Sequence, residues 1–370
     1  MSLSPQIREQ LKARQAQAHL ESLAFDFERP DGEALATFWR QATPGTTYWR
    51  GFIPMLHLPG QVRPVEDDSI SLDGDRLVLR GHQGTAVWQF LGDDGRSRIA
   101  LQMQRQGVRT LMEVDDNYLR FAPPLYGKFG AWTRTHAEAI VNGTGYSVEM
   151  HRKIVPLMDG IICSTEQLAE EYAEVNPNVY VCPNSILPED WDVERTESET
   201  LRIGYYGSPS HVRDWPRVKK ALKWAARQRD VEVVMIGFSP PGWSGRTISW
   251  TDNVLHGRLH LGSIDVGIAP LTRNLWADGK SDLKALEYAM AGVLPLLEDA
   301  PPFSPWKRTG WPFMASTEDE WVDLIKDVVA NRGEVKAQAA AAKAYVLAER
   351  TIEANIHKWR EAVLGGTAEA

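Results

Sequence analysis

The chain has 370 residues, 43% hydrophobic and 24% charged, which suits a globular protein with more than one core. A net charge of −8 argues against attachment to nucleic acid through bulk electrostatics and leaves only a local basic groove as a route to it. The amino-terminal stretch MSLSPQIREQLKARQAQ is polar, and no run approaches the roughly 18 apolar residues of a membrane span, so a soluble, cytoplasmic protein is expected.

Residues 1–22 read as helical, and DGEALATFWRQA (31–42) as a second short helix. From Thr85 the pattern alternates: strand 85–91, helix 96–107, strand 108–114 closed by Asp115 and Asp116, an irregular aromatic stretch, then a helix around 146–157. Strand 159–164, a Thr-capped helix and the strand NVYVCP follow. SILPEDWDVERTESET (185–200) is acidic and poor in structure-forming residues, which suits a linker. The second half repeats the alternation: strand 201–207, a helix carrying Trp215, Val218, Leu222 and Ala225, then strands 231–238, 263–271 and 293–298, with helices at 317–331 and 334–364. Such alternation predicts parallel sheets covered on both faces, hence α/β architecture with two doubly wound domains. The expected division is 1–184, a linker at 185–200, 201–333, and a carboxy-terminal helix from 334 to 370.

Cys163 and Cys182 lie in strand-like contexts and read as buried thiols; no spacing suggests a metal site. His136 and His151 read as structural histidines on helical segments. His82 and Gly60 fall in polar loops, where a turn is the ordinary explanation. Asp115 and Asp116 either cap the following turn or orient an acceptor hydroxyl as base. Arg105, Arg109, Arg120 and Arg134 would form a basic groove only by sharing a face.

The most informative stretch is KSDLKALEYAMAG (280–292). Ser281 suits an N-cap, which leaves the amides of Asp282, Leu283 and Lys284 as donors of the first turn. Lys280 and Lys284 add positive charge where the helix already favours an anion. Leu283, Leu286 and Met290 form an apolar stripe, with Glu287 at its edge. Glu287 lies roughly 9 Å along the axis from the cap, at about 1.5 Å per residue. That spacing matches a diphosphate at the tip and sugar hydroxyls on the carboxylate. A surface salt bridge between Lys284 and Glu287 is the alternative.

Taken with DVGIAPLTRNLWADGKSDLKALEYAMAGVLPLL (265–297), IICSTEQLAEEYAEVNPNVYVCPNSI (161–186), EVDDNY (113–118) and IGYYGSPSHVRDW (203–215), this stretch resembles the retaining family four of the GT-B glycosyltransferases, also called group 1. The resemblance implies two Rossmann-like domains facing across a cleft and transfer of a hexose from a nucleotide diphosphate sugar, UDP-glucose by family habit, to a hydroxyl. It implies no cofactor beyond that co-substrate, no metal, and retention without a protein nucleophile. Glu287 would bind ribose. Ser281 and the amides of Asp282 and Leu283 would hold the diphosphate, neutralised by Lys280 or Lys284. Gly207 and Ser208 would line the donor, with His211, Arg213 and Asp214 approaching its phosphate or sugar. Two places depart from the pattern: Gly279 stands where a second glutamate is usual, and Gly207–Ser208 replaces Gly-Arg, with Arg213 as the substitute cation.

The acceptor is not legible; a glycan, a protein side chain or a modified DNA base fits the second half equally, while the charge disfavours DNA and no basic amphipathic helix points to a membrane. A sugar-nucleotide epimerase, a phosphorylase and a non-catalytic nucleotide-sugar-binding protein are the other readings. They lack, respectively, a base on each face of the sugar, a cofactor lysine or phosphate site, and any sign that the Lys/Ser/Glu array has decayed.

Overall fold

The computed structural model describes residues 24–27, 36–39, 44–58, 62–64, 70–73, 76–79, 84–89, 91–92, 94–105, 107–120, 148–191, 193–250 and 254–365. The expected helix over 1–22, His82, Gly60, His136 and Arg134 lie outside them.

Fifteen strands are described: β1 Ala24–Phe27, β2 Ala36–Trp39, β3 Val62–Pro64, β4 Ile70–Asp73, β5 Arg76–Leu79, β6 Thr85–Gln89, β7 Arg109–Val114, β8 Gly160–Cys163, β9 Val179–Val181, β10 Leu201–Tyr206, β11 Val231–Gly237, β12 Arg246–Ser249, β13 Val266–Ala269, β14 Leu294–Glu298 and β15 Met314–Ala315. The principal helices are α1 Asp94–Arg105, α2 Val148–Ile154, α3 Glu166–Ala173, α4 Trp215–Ala225, α5 Leu283–Met290, α6 Glu318–Ala330, α7 Val335–Glu349 and α8 Ile352–Leu364.

Two six-stranded parallel sheets dominate, ordered β3-β2-β6-β7-β8-β9 and β12-β11-β10-β13-β14-β15. Their central strands are buried along their length (TAVWQ, GIIC, LRIGYY, LPLLE), as strands covered on both faces must be. Apolar side chains of α1, α2 and α3 (Ala100, Met103, Ile154, Leu168, Tyr172) cover one face of the first sheet, and those of α4 and α6 (Trp215, Val218, Trp321, Ile325) one face of the second. A third cluster holds Val87 and Leu111 of the first sheet together with Leu286, Leu297 and Trp359. A small third sheet, β1-β5-β4, stands apart from these two. Among the described residues no helix is long and apolar enough to cross a membrane.

Two expectations need correcting. The helix over 31–42 is instead strand β2, paired with β6 from Ala36↔Thr85 to Trp39↔Trp88. Its ATFW core, with a Thr and two aromatics, fits a pleated surface, and so short an apolar run carries no reliable period. The long tail helix breaks at Arg350–Thr351. There Ile186 inserts a bridge, its N–H bonding Arg350 O at 2.8 Å and its carbonyl accepting from Ile352 N at 2.9 Å, while Thr351 caps α8 through Ala354 N. Within 185–200, Trp191 is buried and stacks on Trp49, and Arg195 pairs with Asp265 at 2.9 Å.

From that break α8 runs back over the first sheet, packing on β6 and β9. Arg109 donates to Ala362 O at 2.7 Å, and the Arg50 guanidinium lies 4.9 Å from the centroid of the Trp359 ring.

Candidate functional site

In the second sheet the chain leaves β10 toward β11 and β12, then crosses to β13 on the other side, the 3-2-1-4-5-6 order of doubly wound folds. The loops after β10 and β13 therefore diverge and open a crevice at the carboxyl ends of the strands. Those loops are residues 207–214 and 270–282.

The carboxyl ends of the first sheet face this crevice. Lys280 reaches Asp116, past the end of β7, at 2.9 Å; Asn117 Nδ2 donates to Leu275 O at 3.1 Å; and Arg308 pairs with Glu166, at the start of α3, at 2.9 Å. Gly279 allows this approach, since a Cβ there would sit 2.7 Å from Asn117 Cβ. A glutamate at that position would collide with the opposite half.

Helix α5 packs against β13 and β14 on one side and α7 on the other, so it is buried nearly all round rather than along a single stripe. Glu287 goes in with it. The residue is 7% exposed, and its carboxylate makes no hydrogen bond among the described residues. Burial raises its pKa to about 7, opposed by the charge of Lys284. The surface salt bridge offered as an alternative is therefore not what forms.

Lys284 points instead to His211 Nε2, at 2.7 Å. Asp214 accepts from His211 Nδ1 at 2.9 Å and from the Thr272 amide at 2.8 Å. Burial, aided by Lys284, holds the His211 pKa down to about 4, so the ring is neutral near pH 7; with Nδ1–H given to Asp214, Nε2 accepts from Lys284. Burial likewise lowers Lys284 to about 8, against the pull of Asp214 and Glu287. Burial works upward on Asp214, yet the His211 and Thr272 hydrogen bonds keep it below its ordinary value. Gly207 makes room for this group, because a Cβ would lie 2.9 Å from the His211 ring and 3.3 Å from Lys284 Cε.

The head of α5 differs from expectation in one respect. Ser281 is not the N-cap; the helix starts at Leu283 with Asp282 in the cap position and no side-chain cap bond. The Asp282 carboxylate is turned inward, bonded to Arg350 at 2.5 and 2.9 Å and to the Trp306 indole at 3.1 Å. Ser281 Oγ instead accepts from Asn184 Nδ2 at 2.7 Å. The first backbone bond of the helix is Ala285 N–H to Asp282 O, so the Leu283 and Lys284 amides precede it.

Of the other residues singled out from the sequence, Ser208 carries the turn by accepting from the His211 amide at 3.0 Å, and Arg213 closes it, its carbonyl taking Thr272 Oγ1 at 2.9 Å. Asp115 accepts from Tyr118 OH at 3.2 Å, and burial raises Asp116 to about 6 despite Lys280. Neither carboxylate caps the turn; Asn117 does, receiving the Arg120 amide at 3.3 Å. His151 is structural, bonded to Leu91 O at 2.6 Å and Tyr172 OH at 2.7 Å, and both cysteines are buried free thiols. Arg109 and Arg120 stand at opposite ends of β7 and form no common groove: the first is spent on α8, the second on Glu171 and Glu174.

Sequence reasoning missed Asn184, Asn117 and Trp250. Trp250 follows the edge strand β12, whose exposed RTIS carries no apolar pattern to announce it. Its ring is 37% exposed, 5.9 Å from that of Tyr206, and Gly237 (φ +100°) lets it approach the Gly207 carbonyl.

No family model and no curated protein matches the sequence. Solved structures do match. HepE of Anabaena, solved with UDP and glucose, aligns at a TM-score of 0.59 and 10% identity over 89% of this chain and 99% of that one. Sucrose-phosphate synthase of Thermosynechococcus elongatus aligns at 0.56 and 10% identity, over 89% and 98%. A UDP-forming trehalose-phosphate synthase of Burkholderia xenovorans aligns at 0.56 and 11%, over 92% and 100%. At these identities the likeness is one of fold: two Rossmann-like domains facing across a cleft, the GT-B architecture.

Proposed function

We propose that this chain is a glycosyltransferase that moves a hexosyl group from a UDP-sugar to an acceptor hydroxyl, with retention at the anomeric carbon. The observation that carries the reading is Glu287, a buried residue whose carboxylate makes no hydrogen bond among the described residues, one turn below a helix head that presents amides, a serine and two lysines. A buried acceptor left unmatched by protein is costly, and sugar hydroxyls satisfy it. HepE was solved with UDP and glucose and the Burkholderia enzyme is UDP-forming, which supports the same class of donor.

In this reading the diphosphate lies at the head of α5, against Ser281, the Leu283 and Lys284 amides, Lys280 and Lys284. Ribose sits on Glu287. The base lies toward the aromatic pair Tyr206 and Trp250. The bond from anomeric carbon to phosphate oxygen breaks with its electron pair passing to the diphosphate. The acceptor oxygen bonds the anomeric carbon and releases its proton to the departing phosphate oxygen. Donors already oriented at the helix head stabilise the growing charge without reorganising. His211, held neutral by burial and by Lys284 and oriented by Asp214, lies beside the diphosphate, while Asp115 and Asp116 approach from the other half, where an acceptor would be oriented. We read residues 1–184 as the acceptor half and 201–333 as the donor half, joined by 185–200 and bridged by the tail.

The direct test is binding and slow hydrolysis of a panel of nucleotide sugars by wild type and Glu287→Ala. One donor is expected to bind selectively and release its nucleoside diphosphate, and the variant to lose both. Equal behaviour of the two proteins would falsify the reading.

A further inference from the structure

We infer that Asn184 is a positioning residue that turns the hydroxyl of Ser281 into a dedicated hydrogen-bond donor for the diphosphate; the inference rests on the donor-site reading above. Asn184 is 3% exposed and sits just past β9, where the first sheet gives way to the segment leading to the second. Among the described residues its side chain has two hydrogen-bond partners. Arg50 Nη1 lies 3.2 Å from Oδ1, and Ser281 Oγ lies 2.7 Å from Nδ2.

The chemistry of those neighbours fixes the polarity. A guanidinium has only donors, so the amide oxygen must face Arg50 and the NH₂ must face Ser281. Arg50 cannot swing away, because its Nε is bonded to buried Glu113 at 2.6 Å and its Nη1 also holds Cys182 O at 2.6 Å. An NH₂ group only donates, so Ser281 Oγ must accept, and the serine proton is directed elsewhere. It meets no acceptor among the described residues. The adjacent carboxylate, Asp282, does not take it, being occupied by Arg350 and Trp306. Asn184 supports that arrangement as well, its carbonyl accepting from Arg350 Nη2 at 3.3 Å. The Ser281 hydroxyl and the Leu283 and Lys284 amides then present donors together, the set a phosphate oxygen requires.

Isothermal titration of the full chain with UDP tests this through a double-mutant cycle. Ser281→Ala and Asn184→Ala are each expected to weaken UDP about tenfold, the loss of one hydrogen bond to a charged group, and the double variant to bind no more weakly than either single. Losses that multiply, to about a hundredfold, overturn the inference, because Asn184 would then act apart from Ser281. Asn184→Asp keeps the shape and guards against misfolding of the alanine variant. Its carboxylate captures the Ser281 proton, so it should bind UDP more weakly than Asn184→Ala. Wild-type affinity in Asn184→Asp, or a lowered Tm in Asn184→Ala with UDP affinity unchanged, also overturns it. Glu287→Ala, run alongside, separates the two layers. If wild type binds no UDP or Glu287→Ala binds as wild type does, the donor-site reading fails and takes the inference with it. If only Glu287→Ala loses binding, the role of Asn184 alone fails.

Discussion

A carboxylate buried without a protein partner destabilises the chain that carries it, and Glu287 has a measurable signature for that reason. Its folded pKa, about 7, lies above its ordinary 4.5, so between those values the folded state binds more protons than the unfolded one. Stability therefore falls as pH rises through that window, and the full penalty is present above it. Glu287→Gln removes the charge and keeps the volume. It should stabilise the ligand-free protein at pH 8 by about 1–3 kcal/mol, measured by denaturant titration, while weakening UDP-glucose about 10- to 100-fold. A variant with neither change sinks the assignment. Donor affinity should also follow both members of the pair: it declines below about pH 7 as Glu287 protonates, and above about pH 8 as Lys284 loses its charge. A sugar diphosphodiester has no titrating phosphate there, so the acid limb should vanish in Glu287→Gln.

At the scale of elements, the crevice depends on strands ending where backbones can meet. Gly237 ends β11 at φ +100°, and a Cβ there would lie 2.1 Å from Gly207 O and 2.7 Å from the Trp250 ring. Gly237→Ala is thus expected to cost at least about 2 kcal/mol, from backbone strain and a backbone clash together. UDP binding should drop with it, because Gly207 and Trp250 must both shift; thermal melts with and without UDP read the two effects separately. The α5 head shows how an element can depart from its local signals. Ser281 reads as a cap, but Asn184 claims its oxygen and Arg350 claims the Asp282 carboxylate, so the first turn starts one residue later with its amides uncovered.

Across the whole molecule, side chains of the two halves meet at the cleft, and one of these contacts engages a lysine wanted by the donor. Asp116 holds Lys280 at 2.9 Å with both side chains 22% exposed, and the burial that raises the Asp116 pKa to about 6 offsets much of the attraction, so the pair adds little stability, roughly 0–1 kcal/mol. Asp116→Asn should leave Tm nearly unchanged and tighten UDP-glucose about 2- to 10-fold, since Lys280 is released to the diphosphate and a repelling charge is gone. If Asp116 also orients the acceptor, turnover falls at the same time, and kcat and KM decrease together. Steady-state kinetics with an accepted substrate and titration of the donor decide this. Unchanged donor affinity would show that Lys280 does not serve the diphosphate.

Much of the second half was legible because its signals are local. Predominantly apolar strands, a helix heading with lysines and a serine, and an α/β alternation each follow from the spacing of neighbouring residues. The carboxylate at Glu287 was legible in the same way, three residues from Lys284 on one helix. By itself, then, the sequence determined the alternation of elements and the charge grouped at one helix head. Tertiary structure alone decided what that charge meets. Strand β2, with four residues and no period, took its identity from pairing with β6. The depth of Glu287 came from α7 closing over α5, and the partnership of Lys284 with His211 spans 73 positions. Asn184 reaches Ser281, Arg350 reaches Asp282, and Arg50 fixes Asn184, from three separate parts of the chain. No local pattern encodes such convergence, because hydrogen-bond polarity is settled only when the donors and acceptors are brought within about 3 Å of one another.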